Sequence, residues 1–543
     1  MKITIKKILL VIPVMMLFFQ SCNDFTELNE DPTKWTNVDP NNQLTYVELV
    51  SWSNMTPAYT MFAYLSPFVQ HFQGEWNASN YGGLYKKNDQ VSKLLWDRSY
   101  TYAIKNLEDI LYKTEGEASW SNVRQLARIL RVWYFMILTD TYGDVPYFQG
   151  GKGYTQDISM PAYDSQELIY KDFLKELKEA ELALNSDGGL ITGDIIYNGD
   201  IDRWKRFANS LRLRLALRTV YAAPDLAKST VEEILANPVG LLLSADDDAL
   251  VKYMEINESS NKEFRRNALA QSWRPTNPND EPTSQIISSV FFNYMMTTGD
   301  PRLLRIARCY ANPKNALDPQ DRIDITDEVV EQGMDFFLPV DPGFFWYSPW
   351  PSKGFDSKLA GVYVRANLRP QINNAFLKGV SPGVFMTYAE TQLLMAEVVS
   401  RWEDLTPTGA SPENYYETGV AAAMNFLLKY GVHAYAGNEI ADYLAANPLP
   451  WQPEGRLKAI NEQLWILHFN NPPEAFANQR RSGYPELKSS REYGAITFQS
   501  ETIPRRLCYP LEESAYNREA IGVALEKMGG FDDWNAKVWW DKK

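Results

Sequence analysis

Apolar residues recur at intervals of three and four along successive stretches of the chain, and that spacing commits much of it to helices packed in pairs. Trp96, Tyr100, Ala103, Leu107 and Leu111 fall on one helical face, and Leu126, Leu130, Trp133, Ile137 and Leu138 fall on another. The second stripe stops before Gly143 and Pro146, which end helices because glycine accepts left-handed backbone and proline lacks a donor. Two more helices are predicted over about 165–184 and 202–221, the latter burying Trp204, Phe207, Leu211 and Leu215 between Arg212, Arg214 and Arg218. Further helices are predicted near 284–298, 386–402, 412–430 and 455–469. Helix pairs of this length predict a mostly α, tetratricopeptide-like scaffold over about 90–235, with 384–543 adding helices and C-terminal packing.

Two stretches interrupt that pattern. Residues 239–283 and 310–383 are rich in Pro, Asn, Gly and aromatics and are too long for simple turns, so a large, irregular, loop-rich region over about 239–383 is where ligand binding is expected. Short strands are allowed there, but no sheet large enough to define the fold can be read. With 543 residues, 45% of them hydrophobic, the chain can still bury a sizeable core. Its 16 Trp and 31 Tyr exceed what a core needs, which leaves rings for a surface.

The N-terminus reads as an export signal over residues 1–21, with Lys2, Lys6 and Lys7 ahead of a short apolar run at 8–19. Ser21 then precedes Cys22, the arrangement that lipoprotein processing uses, so Cys22 is expected to become the acylated first residue of a single mature domain, 22–543. The alternative is cleavage to a soluble periplasmic protein. Residues 23–43 are polar, with Asp-Pro steps at 31–32 and 39–40, and are predicted to run as an extended tether. No later segment reaches the roughly 20 apolar residues a membrane-spanning helix needs, so attachment is expected through the lipid only.

The net charge of -14 becomes more acidic once the signal lysines are removed, which argues against nucleic acid and anionic lipid as partners. After Cys22 only Cys309 and Cys508 remain, too few for a disulfide framework, and both are predicted to be buried thiols. His71, His433 and His468 lie far apart with no zinc-ligand spacing.

Several longer marks occur in a definite order: NEDPTKWTNVDP after Cys22, ILTDTYGDVPYF, RWKRFANSLRLRLALR, TGDPRL, YAETQLLMAEVVSRW, QRRSGYPEL and IPRRLCYPLEE. In these the chain resembles the SusD-like (SusD/RagB) family over nearly its whole mature length. Read as local chemistry, the same motifs are turns and packing, with Arg480, Arg481 and Arg505 expected to hold carboxylates or backbone carbonyls. The resemblance implies a lipid-anchored, cell-surface protein of the outer membrane that binds a nutrient for a SusC-like TonB-dependent transporter. Most members bind oligosaccharides and some bind peptides. It also admits a structural calcium, for which Asp246, Asp247 and Asp248 are candidate ligands, although three consecutive acids usually form a solvated turn. No metal and no cofactor is assigned.

Sugars present apolar C–H faces ringed by hydroxyls, so a binder stacks aromatic rings on the faces and places amides or guanidinium groups at the edges. Residues 70–89 have that composition, with Trp76, Tyr81 and Tyr85 separated by Asn77, Asn80 and paired glycines that make a continuous helix unfavourable. Trp273 with Arg274, and Trp346 in the FFWYSPW run, are the other candidates, each with burial or a surface Arg–Trp contact as the alternative. Trp534, Trp539 and Trp540 are expected to pack the tail on the body, with a face toward the transporter as the alternative. No catalytic residue is assigned, because with 68 Asp and Glu a glycosidase pair can be drawn anywhere. Glycan capture for a transporter is thus the expected function, with a peptide-binding lid or assembly scaffold as the alternative.

Overall fold

A computed structural model describes residues 38–256, 263–272, 286–313, 323–345 and 363–543. The signal segment, Cys22, Trp273, Arg274 and Trp346 lie outside the described residues.

The described residues are mostly helical, and the long helices pack as tetratricopeptide-like pairs. Ser121–Tyr142 is buried on nearly every side among its neighbours, ending at Gly143 with φ 93°. Gln166–Ala183 packs on it and on Ile201–Arg218, which in turn meets Pro224–Ala236 and Tyr388–Arg401. Pro412–Leu427 and Pro453–Leu467 complete the second group with Pro472–Ser482. Their starts follow local chemistry. The Ser165, Asp200 and Thr387 side chains accept from the first-turn amides of Leu168, Arg203 and Glu390.

Charges clamp these pairs from within. Arg214 holds Glu390 through two bonds of 2.6 and 2.7 Å and Arg218 reaches Glu474, so the stripe of arginines flanking the apolar face points into the protein. Arg480 donates to the Asp140 and Arg505 carbonyls, Arg481 grips Glu397, and Arg505 grips Asp541, as the chemistry of those motifs led one to expect. Trp534 and Trp540 are buried, the latter donating its indole N–H to Asp140.

Two expectations are corrected. The tether stops earlier than residue 43: Pro40–Ser53 is a helix, because Asp39 caps the Asn41 amide at 2.8 Å and Pro40 is preset for the first turn. The Trp96–Leu111 stripe spans three pieces, Leu94–Arg98, a π-helical Ser99–Ile104 and Lys105–Lys113. Short strands of the loop-rich region join the 70–89 segment in a five-stranded antiparallel sheet in the order β1-β2-β5-β3-β4, where β1 is Phe72–Gln73, β2 Ile286–Ile287, β3 Ala307–Pro313, β4 Ile323–Asp324 and β5 Tyr363–Ile372.

That sheet matters for position. Its β1 belongs to the 70–89 segment and pairs Phe72 with Ile287 and Gln73 with Ile286, which fastens an aromatic loop of the first helical half to the irregular half.

Candidate functional site

The 70–89 segment leaves β1 through Gly74 at φ 90°, where a side chain would strike Ile286 Cδ1 at 2.7 Å. Gly74 bridges Phe345 in parallel, so residues 341–345 run beside the turn. The Glu75 carboxylate accepts from the amides of Asn77 at 2.7 Å and Ala78 at 3.0 Å and so starts the next turn. Burial pushes this carboxyl above its usual range, against the pull of those amides.

A π-helical turn then covers Ala78–Gly83, so the paired glycines sit inside a helical turn instead of breaking it. The reason is contact: a Cβ on Gly82 would lie 2.7 Å from both the Ala63 carbonyl oxygen and Pro67 Cβ, and only glycine lets the turn press onto residues 61–67. Ser79 closes the arrangement, accepting from Gly74 N at 2.8 Å and donating to the Phe344 carbonyl at 2.7 Å.

On this base Trp76 stands 54% exposed. Its ring lies 5.2 Å from that of Phe345, inclined by 36°, so two loops separated by some 270 positions present aromatic rings side by side. Asn77, just before the turn, and Asn80, within it, are half-buried. Tyr81 is half-buried and stacks on Tyr64 at 5.9 Å and 28°. The site therefore combines two adjacent aromatic rings, inclined to each other, with two half-buried asparagines of the same segment on a sterically locked support.

Tyr85 does not belong to it. The residue is only 1% exposed, its hydroxyl accepts from Ser490 N at 2.8 Å, and burial raises its phenol pKa. It is a packing residue, withdrawn from the ligand-contacting set. Trp273, Arg274 and Trp346 fall outside the described residues, although Trp346 directly follows Phe345.

Phe345 is the partner that sequence reasoning passed over. The FFWYSPW run pointed to its neighbourhood, but nothing in it separates the ring that joins Trp76 from those beside it.

Other candidates are committed elsewhere. Asp247 pairs with Arg206, and Asp248 accepts from Tyr388 N at 2.7 Å at the head of a helix. Among the described residues no group of His, Cys, Asp or Glu is arranged to hold a metal. Cys309 and Cys508 are free thiols, the first buried and the second half-buried, so the prediction of burial holds fully for one. No described helix is long and apolar enough to cross a membrane.

Known proteins share this architecture. A family model named SusD-like and described as starch-binding, associating with outer membrane, matches residues 32–323 and 351–510. Among solved structures, a SusD-like protein of Bacteroidetes AC2a is 32% identical with TM-score 0.84, covering 93% of this chain and 100% of its own. A chitin-binding protein is 31% identical with TM-score 0.75 at the same coverages. A SusD homologue from Bacteroides uniformis, 22% identical with TM-score 0.70 over 93% of this chain and 99% of its own, shares the fold. No curated protein matches.

Proposed function

The chain belongs to the SusD-like family, and from that premise we propose that it captures a glycan on the Trp76 surface and delivers it to a SusC-like TonB-dependent transporter, catalysing nothing itself. The observation that carries this reading is Trp76, a large ring left exposed on a rigid turn and extended by Phe345. Exposed aromatics on locked backbone cost little entropy to bind with, and their faces suit the C–H faces of sugars. Asn77 and Asn80 supply amides for hydroxyl or acetamido groups at the ring edges.

The similarity to a chitin-binding protein supports β-linked N-acetylglucosamine oligomers as the first ligand class to test. Such chains are uncharged, which suits a protein of net charge -14. The protein is placed at the cell surface by acylation of Cys22, and its hydrolase alternative lacks support because Glu75, the carboxyl beside the ring, is engaged as a turn cap.

The test is calorimetry of the mature chain, truncated after Cys22, against chitin oligosaccharides and an array of other polysaccharides and peptides. Sugar binding supports the proposal. Binding of peptides alone overturns it in favour of a peptide lid, and failure to co-purify a TonB-dependent barrel at native expression overturns the transporter role.

A further inference from the structure

A third segment adjoins the two loops that present Trp76 and Phe345. Residues 488–499 are pinned along their length. Gln70 donates its side-chain N–H to the Lys488 carbonyl, Ser489 and Glu492 close a capping box, and Ser490 N donates to the Tyr85 hydroxyl. Phe498 N and Gln499 N then donate to the carbonyls of Leu84 at 2.9 Å and Tyr85 at 3.1 Å, and the Gln499 side chain accepts from Lys87 N at 2.6 Å. The segment is therefore bonded directly to the far end of the turn that carries Trp76.

It also touches the Phe345 loop. A Cβ on Gly343 would lie 2.7 Å from Ala495 Cβ and 3.3 Å from the Gly83 carbonyl oxygen, so all three segments meet at a point where only glycine fits. Contact thus runs unbroken from Trp76 to Phe345, along that loop to Gly343, and across to Ala495.

The residues just beyond that junction are oddly apolar for their position. Ile496 is 88% exposed and Phe498 59% exposed, while Ala495 between the loops is buried. Ile496 and Phe498 are separated by a single residue, and Lys86 lies 5.4 Å over the Phe498 ring. Lys86 covers part of the Phe498 ring, but more than half of each side chain is in solvent, so packing does not account for a pair of apolar side chains on backbone held by this many hydrogen bonds.

We infer that Ile496 and Phe498 form a second apolar subsite, continuous with Trp76 and Phe345, so that the ligand is an extended chain spanning both and not a mono- or disaccharide. The inference rests on the glycan-binding reading above. From Trp76 to Leu84, whose carbonyl holds Phe498, the turn covers on the order of 10 Å at helical rise, a span that a short sugar bound on Trp76 does not bridge. An oligomer long enough to lie across both subsites gains the second contact without a second loss of translational freedom.

The experiment is calorimetry of the mature protein with the N-acetylglucosamine disaccharide and hexasaccharide, using the double variant Ile496→Ser, Phe498→Ser. The unaltered protein is expected to bind the hexasaccharide at least tenfold more tightly than the disaccharide. The double variant is expected to lose about tenfold for the hexasaccharide, with disaccharide affinity and melting temperature unchanged, since both side chains are exposed. Equal affinity for the two lengths, or a variant indistinguishable from the parent on the hexasaccharide, overturns the second subsite while leaving glycan capture standing. No binding of either oligosaccharide by the unaltered protein overturns the chitin reading and the subsite with it.

Discussion

Arg214 and Glu390 face each other in two hydrogen bonds of 2.6 and 2.7 Å where neither side chain reaches solvent, joining the Ile201–Arg218 helix to the start of Tyr388–Arg401. Burial alone would favour the neutral acid, yet the Arg214 guanidinium and the nearby His468 hold the Glu390 carboxyl down at about 2. Removing one partner leaves the other charge buried and unmatched, so Glu390→Leu is expected to cost about 3–5 kcal/mol in urea unfolding. Combining it with Arg214→Met should recover most of that loss. A double variant as unstable as the single one would show that the charge itself, and not its isolation, is required.

Acid should weaken the fold through His71. This imidazole sits between the rings of Phe291 at 4.8 Å and Trp465 at 5.1 Å, and burial drives its pKa from 6.5 to about 3. Because the unfolded chain takes up the proton at a pH where the folded one refuses it, stability is fully present above about pH 6.5. It is lost as pH falls from there toward about 3, by up to about 1.4 kcal/mol per unit. In His71→Leu the slope of unfolding free energy between pH 6 and pH 4 should be shallower than in the parent. Equal slopes would remove His71 from the account.

Gly82 tests how tightly the binding turn is seated. Gly82→Ala puts a methyl group into the Ala63 carbonyl and Pro67, and overpacking of this kind costs about 1–3 kcal/mol. Because the displaced turn carries Trp76, glycan affinity should fall together with melting temperature. Unchanged affinity in a destabilised variant would mean that the ring is placed by Phe345 and not by the turn.

The helical half was legible from spacing because its signals are local. Trp204, Phe207, Leu211 and Leu215 are all fully buried, and Ser165 and Asp200 cap the helices they precede. The sheet was not, since β1 and β2 have two residues each and Phe72 finds Ile287 more than two hundred positions away. Asp39-Pro40 shows a subtler failure: the dipeptide that reads as extended also makes a good helix start, and only the packed helix beyond it decides. At the site, loop composition singled out Trp76 but could not tell it from Tyr85, whose burial depends on Ser490, 405 positions away.

Trp76 and Tyr85 therefore make opposite predictions from the same loop. Trp76 is half out in solvent, so Trp76→Ala should leave melting temperature within about 2 °C of the parent, as surface changes usually do. It should also lower affinity for the N-acetylglucosamine hexasaccharide at least tenfold, as loss of a stacking platform requires. Tyr85→Phe keeps the ring but removes the acceptor for Ser490 N, leaving that buried donor unpaired at a cost of about 1–3 kcal/mol. Its glycan affinity at a temperature well below unfolding should match the parent. Calorimetry and thermal unfolding of both variants separate the roles, and a Tyr85→Phe protein that is stable but binds poorly would return that hydroxyl to the ligand site.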